Sequence, residues 1–197
     1  MKERKIFYFE EPGEKNTSDA LDSAYARLKE GGIRHIVVAS HSGATALKAA
    51  EKFRNLAVNI VAVTVSASTK KETIEQWDKN VPKLEKLKVR MHRGTHCLSG
   101  IERAVKARWG TAGPVIVMGD TLRVLGEGTK VGVEISLMAA DAGLIPNAEK
   151  VMAIAGTGLG ADTCIVIKSA YSSQFFDLAI QEIVCKPYSE GVKHEPR

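Results

Sequence analysis

The chain has 197 residues, 44% hydrophobic and 26% charged, enough apolar surface for one sizeable core, and it is read as a single domain over residues 1–197. Its net charge of +5 does not point to nucleic acid, because lysines and arginines alternate with glutamates, as in KKETIEQWDKNVPKLEKLK, with no basic stripe interleaved with aromatics. No apolar run is long enough to span a bilayer and MKERKIFYFEEPGEK does not read as a signal peptide, so a soluble, cytoplasmic protein without a membrane partner is expected.

The elements alternate along the chain. Arg4 to Glu10 reads as a strand, and Thr17-Ser18-Asp19 offers caps for a helix with Leu21, Ala24, Tyr25 and Leu28 at helical spacing, ended by Gly31-Gly32. HIVVAS predicts a strand, ATALKAAEKF a helix, and NIVAVTVS (Asn59 to Ser66) a second β-branched strand, which together make a βαβ unit. Glu72 to Leu87 is helical in composition, with Pro82 expected to break or restart it. KVRMHRG predicts a short strand, and Ser99-Gly-Ile-Glu102 resembles a capping box opening the helix IERAVKARW.

PVIVMGD, an apolar run, predicts another strand. From Glu127 a helix places Val131, Ile135, Met138 and Ala142 on one face and ends at Gly143. KVMAIAG and DTCIVIKSA predict two strands joined by the turn GTGLGA, and EIVCKP a last strand before the charged tail VKHEPR. The pattern is that of an α/β three-layer α/β/α sandwich with a mostly parallel sheet and an antiparallel edge strand. Cys97, Cys164 and Cys185 are odd in number, far apart and without CxxC spacing, so they are read as reduced thiols, two of them within strands.

Two corners carry the functional signal. Ser40-His41-Ser42-Gly43-Ala44-Thr45 joins a strand to a helix, where unpaired N–H groups, small residues and hydroxyls can receive an anion; the plain alternative is a capped helix. A hydrolase nucleophile at Ser42 is disfavoured, since Ser40 and Ala44 stand where G-x-S-x-G needs glycines. GTGLGADT matches G-x-G-x-x-[G/A] by letter through Gly156, Gly158 and Ala161, but a strand follows instead of a helix, so a dinucleotide fingerprint is rejected in favour of an open turn able to wrap a ligand.

A third corner, THCLSGIER, places Thr95, His96, Ser99 and Arg103 near a helix start, either as ligand contacts or as an ordinary cap with an exposed arginine. His92, His96 and Cys97 span a strand end and a Gly94 loop with no partner cysteine pair, so no metal site is assigned. Glu134 and Asp141 lie along one helical face. Glu134, set among valines and isoleucine, would have its pKa raised if buried without a partner, and it either meets the ligand or holds a neighbouring loop's amides. Asp162 is placed to hold its own glycine turn.

The first two corners together resemble the pyruvate kinase C-terminal alpha/beta domain: VVASHSGATALKAAEKFRNLAVNIVAVT is similar to its strand, serine-glycine turn, helix and Ala-Val-Thr strand, and GTGLGADTCIVI to its later glycine-rich loop. YFEEPGEKNT, THCLSGIERA, VEISLMAADAGLIP and FFDLAIQEIVCKP extend the similarity to a stand-alone, archaeal-type group of such domains. No catalytic barrel is present, so kinase chemistry is not implied, and Ala44 replaces an arginine that many sugar-phosphate-activated kinases carry, which argues against a bisphosphorylated sugar.

The resemblance to the kinase domain implies phosphate contacts from Ser40, Ser42, Gly43 and Thr45 with a second contribution from Gly156 to Gly160, and the resemblance to the stand-alone group implies flavin mononucleotide (FMN) as cofactor. His41, Thr64, His96, Ser99, Arg103, Glu134, Thr157 and Asp162 complete the candidate cofactor-binding set, with Gly158 and Gly160 in the turn. The expectation is an FMN-binding protein, with a flavin-dependent oxidoreductase as one reading, and a non-catalytic binding or sensor module for a phosphorylated metabolite as the alternative. No residue identifies itself as catalytic. A homo-oligomer is also expected.

Overall fold

The computed structural model describes residues 1 and 3–188, so the tail VKHEPR lies outside the described residues. The elements in chain order are β1 (Phe7–Phe9), α1 (Thr17–Lys29), β2 (His35–Ala39), α2 (Ala44–Phe53), β3 (Asn59–Thr64), α3 (Lys71–Lys86), β4 (Arg90–Arg93), α4 (Gly100–Trp109), α5 (Pro114–Arg123), α6 (Glu127–Asp141), β5 (Lys150–Ala155), β6 (Thr163–Lys168) and β7 (Ala179–Pro187). Short 3-10 turns at Glu14–Asn16 and Ser172–Asp177 precede α1 and β7.

The strands form one sheet in the order β1-β7-β6-β5-β2-β3-β4. It is mostly parallel, as expected, and its antiparallel part lies toward the β1 side, where β6 runs against both β5 and β7. From β2 the chain proceeds through β3 to β4 on one side; from β5 it proceeds through β6 to β7 on the other. The β2–β5 boundary is therefore the point at which the strand order reverses, and a crevice opens there beyond the carboxyl ends of the strands.

Burial on both faces explains the unbroken apolar runs. Ile36 and Val38 of β2, Ile60 and Ala62 of β3, and Met152 and Ile154 of β5 pack with α1, α2 and α3. Their neighbours Val37, Val61, Val151 and Ala153 point the other way, on to α6, as the two-residue period of a strand requires. α6 approaches the sheet closely because Gly128 and Gly132 face Thr163 and Ile165, where a Cβ would lie 2.1 Å from Thr163 Oγ1 and 3.0 Å from Ile165 Cδ1. No helix among the described residues is long and apolar enough to cross a membrane.

Four local expectations are corrected. PVIVMGD is the start of helix α5, not a strand: Pro114 occupies the first helical turn, where its missing N–H is no loss, and the Glu102 carboxylate accepts from Val115 N (3.2 Å) and Ile116 N (2.9 Å). The same contacts overturn the capping box at Ser99, since Glu102 serves the next helix and Ser99 makes no capping bond to its own. Helix α3 runs unbroken through Pro82; Pro82 and Asp78, whose carbonyl loses its partner, both face solvent, and the buried Trp77 and Leu84 hold the two halves to the core. At α1 the N-cap is Asn16, whose side chain donates to Glu11 O (2.7 Å) and does not cap the helix, and the Thr17 hydroxyl instead donates to Glu14 O and accepts from Ala161 N.

Candidate functional site

A cleft of about 450 Å³ lies at the β2–β5 switch point, within the size range of small-molecule sites. Its walls are the β2–α2 corner, the β5–β6 glycine turn, His96 from the β4–α4 loop, Arg103 from α4, Arg123 from α5, and Glu127, Lys130, Val131 and Glu134 from α6; Glu14, Thr73 and Gln76 also line it.

The β2–α2 corner is held from behind. Ser40 N donates to Val63 O (3.0 Å), Thr64 Oγ1 donates to His41 O (2.9 Å), and Asn80 Nδ2 donates to Ser42 O (2.9 Å). Gly43 has φ 86, and a Cβ on it would lie 3.0 Å from Asn80 Cβ, so glycine is required both by conformation and by the approach of α3. Ser42 Oγ accepts from Ala44 N at 3.4 Å and Ser40 Oγ from Ala46 N at 3.3 Å. These long bonds leave the hydroxyl hydrogens of both serines available to an anion at the start of α2.

The glycine turn is docked just as firmly. Asp162, fully buried, accepts from Thr157 N (3.0 Å) and Gly13 N (2.8 Å) with Oδ2, and from the Thr163 hydroxyl (2.7 Å) with Oδ1. It therefore holds its own turn, as expected from the sequence, and ties it to the segment before α1. Gly160 has φ +71, and a Cβ there would fall 2.4 Å from Thr17 Oγ1 and 2.7 Å from Glu14 Cα. Gly158 has φ +79 and nothing within 4 Å of its missing Cβ, and the Leu159 side chain is 62% exposed.

The third wall contains a buried ion cluster. Glu134 is 0% exposed; its Oε2 accepts from Lys130 Nζ (2.5 Å) and faces His96 Nδ1 (2.8 Å), while Oε1 accepts from Leu98 N (3.0 Å). Burial by itself would raise the Glu134 pKa, but the His96 bond and the Lys130 ammonium overcome it and bring it down to about 2. The rise expected for an unpartnered carboxylate does not occur because Glu134 has these partners, among them the loop amide. Asp141, about two helical turns further on, is exposed and accepts from Ser172 N (2.9 Å) instead.

His41 is pushed to a lower pKa by burial and by His96. Burial, then the Glu134 charge, push the Cys97 thiol up to about 12, so it is no nucleophile at neutral pH. His92 turns on to Gly94, its Nε2 2.4 Å from the position of a Cβ there, and lies apart from the cleft.

Of the residues singled out in the sequence, the cleft brings together Ser40, His41, Ser42, Thr45, His96, Arg103, Glu134, Gly156, Gly158 and Gly160. Gly43, Thr64, Thr157 and Asp162 stand behind it and shape its walls. Ser99 is not in the lining; Arg103 Nη2 contacts its hydroxyl at 3.4 Å. Sequence reasoning missed Lys130, Arg123 and Glu127. The helical i to i+4 spacing of Lys130 to Glu134, an ion pair within α6, was the available signal; Arg123 and Glu127 pair across the junction of α5 and α6. Glu14, Thr73 and Gln76 carry no local signal at all.

Residues 19–167 match the model of the pyruvate kinase alpha/beta domain. The chain belongs to that family. Among solved structures it is similar to an NH3-dependent NAD synthetase from Campylobacter jejuni, at 18% identity over 56% of this chain and 47% of that one, with a TM-score of 0.35. It is also similar to a pyruvate kinase from Cryptosporidium parvum, at 15% identity over 78% of this chain and 22% of that one, with a TM-score of 0.39. The matched part is thus about half of the first relative's length and about a fifth of the second's.

Proposed function

We propose that the cleft binds flavin mononucleotide, with its phosphate at the Ser40–Thr45 start of α2. The observation that carries this reading is the cleft's position at the sheet's switch point, between a hydroxyl-bearing helix start and an open glycine turn. The residues fit the group. Ser42 and Thr45 offer hydroxyl donors and Arg103 a cation for the phosphate, while Gly158, with free space where a side chain would begin, and the exposed Leu159 leave a wall against which a flat ring can lie.

A bound flavin supplies one- and two-electron transfer. The chain's own part is to hold the phosphate, to shape the cleft through Asp162 and Gly43, and to keep a charged Glu134 beneath it.

The experiment is the visible spectrum of the purified chain together with titration of added FMN followed by quenching of its fluorescence. Yellow absorbance or saturable quenching supports the reading. A colourless protein that leaves flavin fluorescence unchanged, yet is stabilised against heat by sugar phosphates, would assign the corner to a phosphorylated-metabolite module without catalysis.

A further inference from the structure

A buried carboxylate that accepts from a lysine, a backbone amide and a histidine on the edge of a cleft is more than a structural ion pair. Glu134 is an acceptor in every one of its contacts: Lys130 Nζ and Leu98 N can only donate to it. The third neighbour, His96 Nδ1, lies 2.8 Å from the same anionic oxygen, so the hydrogen between them belongs to the ring. With Nδ1 protonated, the neutral imidazole carries its lone pair on Nε2. Glu134 is 0% exposed, whereas His96 is 30% exposed and lines the cleft; with Nδ1 turned to the buried carboxylate, Nε2 is the ring nitrogen left for the cleft.

We propose that His96 is the proton-transfer group of this cleft, its Nε2 presented to a ligand hydroxyl, enol or ring N–H, with Glu134 as the positioning residue and Lys130 as its counter-charge. This rests on the cleft being a ligand site, but not on the ligand being a flavin. In the forward step the Nε2 lone pair takes the proton of a ligand O–H or N–H, and the bonding pair stays on the ligand. The imidazolium is then balanced by the Glu134 anion and returns the same proton to the product. Lys130 keeps the carboxylate ionised, so the proton stays on the ring instead of passing inward. His41 of the β2–α2 corner, Arg103 of α4, Arg123 of α5 and Lys130 of α6 are the other basic groups that line the cleft; burial and the neighbouring His96 push the His41 pKa down.

The test uses the ligand-free full chain. Nitrogen NMR of histidine-labelled protein, with the His96 signals identified by H96Q, is expected to show Nδ1 protonated and Nε2 bare in the neutral ring. Diethyl pyrocarbonate should carbethoxylate His96, located by peptide mass, and E134Q should slow that reaction about tenfold, because a glutamine amide can donate to Nδ1 and turn the proton to Nε2.

A ring protonated at Nε2, a His96 that does not react while exposed histidines do, or an E134Q rate equal to wild type overturns the proposal. The wild-type measurements stand even if E134Q fails to fold. All are made without ligand, so failure to bind FMN leaves them intact, and an FMN-binding chain with an unreactive His96 loses this proposal alone.

Discussion

Glu134 Oε2 lies 2.8 Å from His96 Nδ1 and 2.5 Å from Lys130 Nζ, so one buried oxygen joins the β4–α4 loop to the middle of α6. Replacing Glu134 by alanine strands the Lys130 ammonium, itself buried, in the core. A loss of about 3–5 kcal/mol is expected, measured by chemical denaturation.

The same carboxylate should mark the acid limb of stability. Its pKa is depressed to about 2 in the fold from an ordinary 4.5. The stability it contributes is therefore present above pH 4.5 and is lost as pH falls through about 2. E134Q should flatten the pH dependence of the melting temperature in that window relative to wild type; a parallel acid limb would contradict the pairing.

Gly160→Ala is expected to destabilise the fold by about 2 kcal/mol or more, since a positive φ and overlap with the Glu14 backbone act together. Gly158→Ala shares the φ but not the clash, so thermal denaturation should rank it as the milder of the two. Gly158 lines the cleft, so on the proposed function its added methyl group should weaken flavin binding more than stability.

Asp162→Ala removes the acceptor for Gly13 N and Thr157 N. Leaving these amides unmet should cost about 1–3 kcal/mol, and hydrogen exchange should quicken at residues 157–161 and around Gly13 while the central strands stay protected.

Glu102→Ala should fray α5 instead of α4, because its carboxylate caps Val115 and Ile116. About 1 kcal/mol is expected, with faster exchange confined to the first turn of α5.

Much of this protein is determined by its sequence alone. β-Branched runs such as HIVVA and NIVAVT can only be strands buried on both faces, and a helix that begins at a glycine after a serine corner must open its N–H groups beyond the strand end. Asp162 beside GTGLG was legible as the anchor of its turn because two of its partners, Thr157 N and the Thr163 hydroxyl, are local in the chain; its bond from Gly13 N was not.

What the tertiary structure decided are the pairings over distance. PVIVMGD became a helix because Glu102, from another helix, reached its first amides, and a short apolar run carries no period strong enough to oppose that. Thr17 gave up its cap to dock the glycine turn. Glu134 became a charged group beneath a cleft only when α6 was laid across the switch point, 38 residues in sequence from His96. Local pattern reports which face of a helix is apolar; which charges meet beneath it is set by the packing of layers that the pattern cannot see.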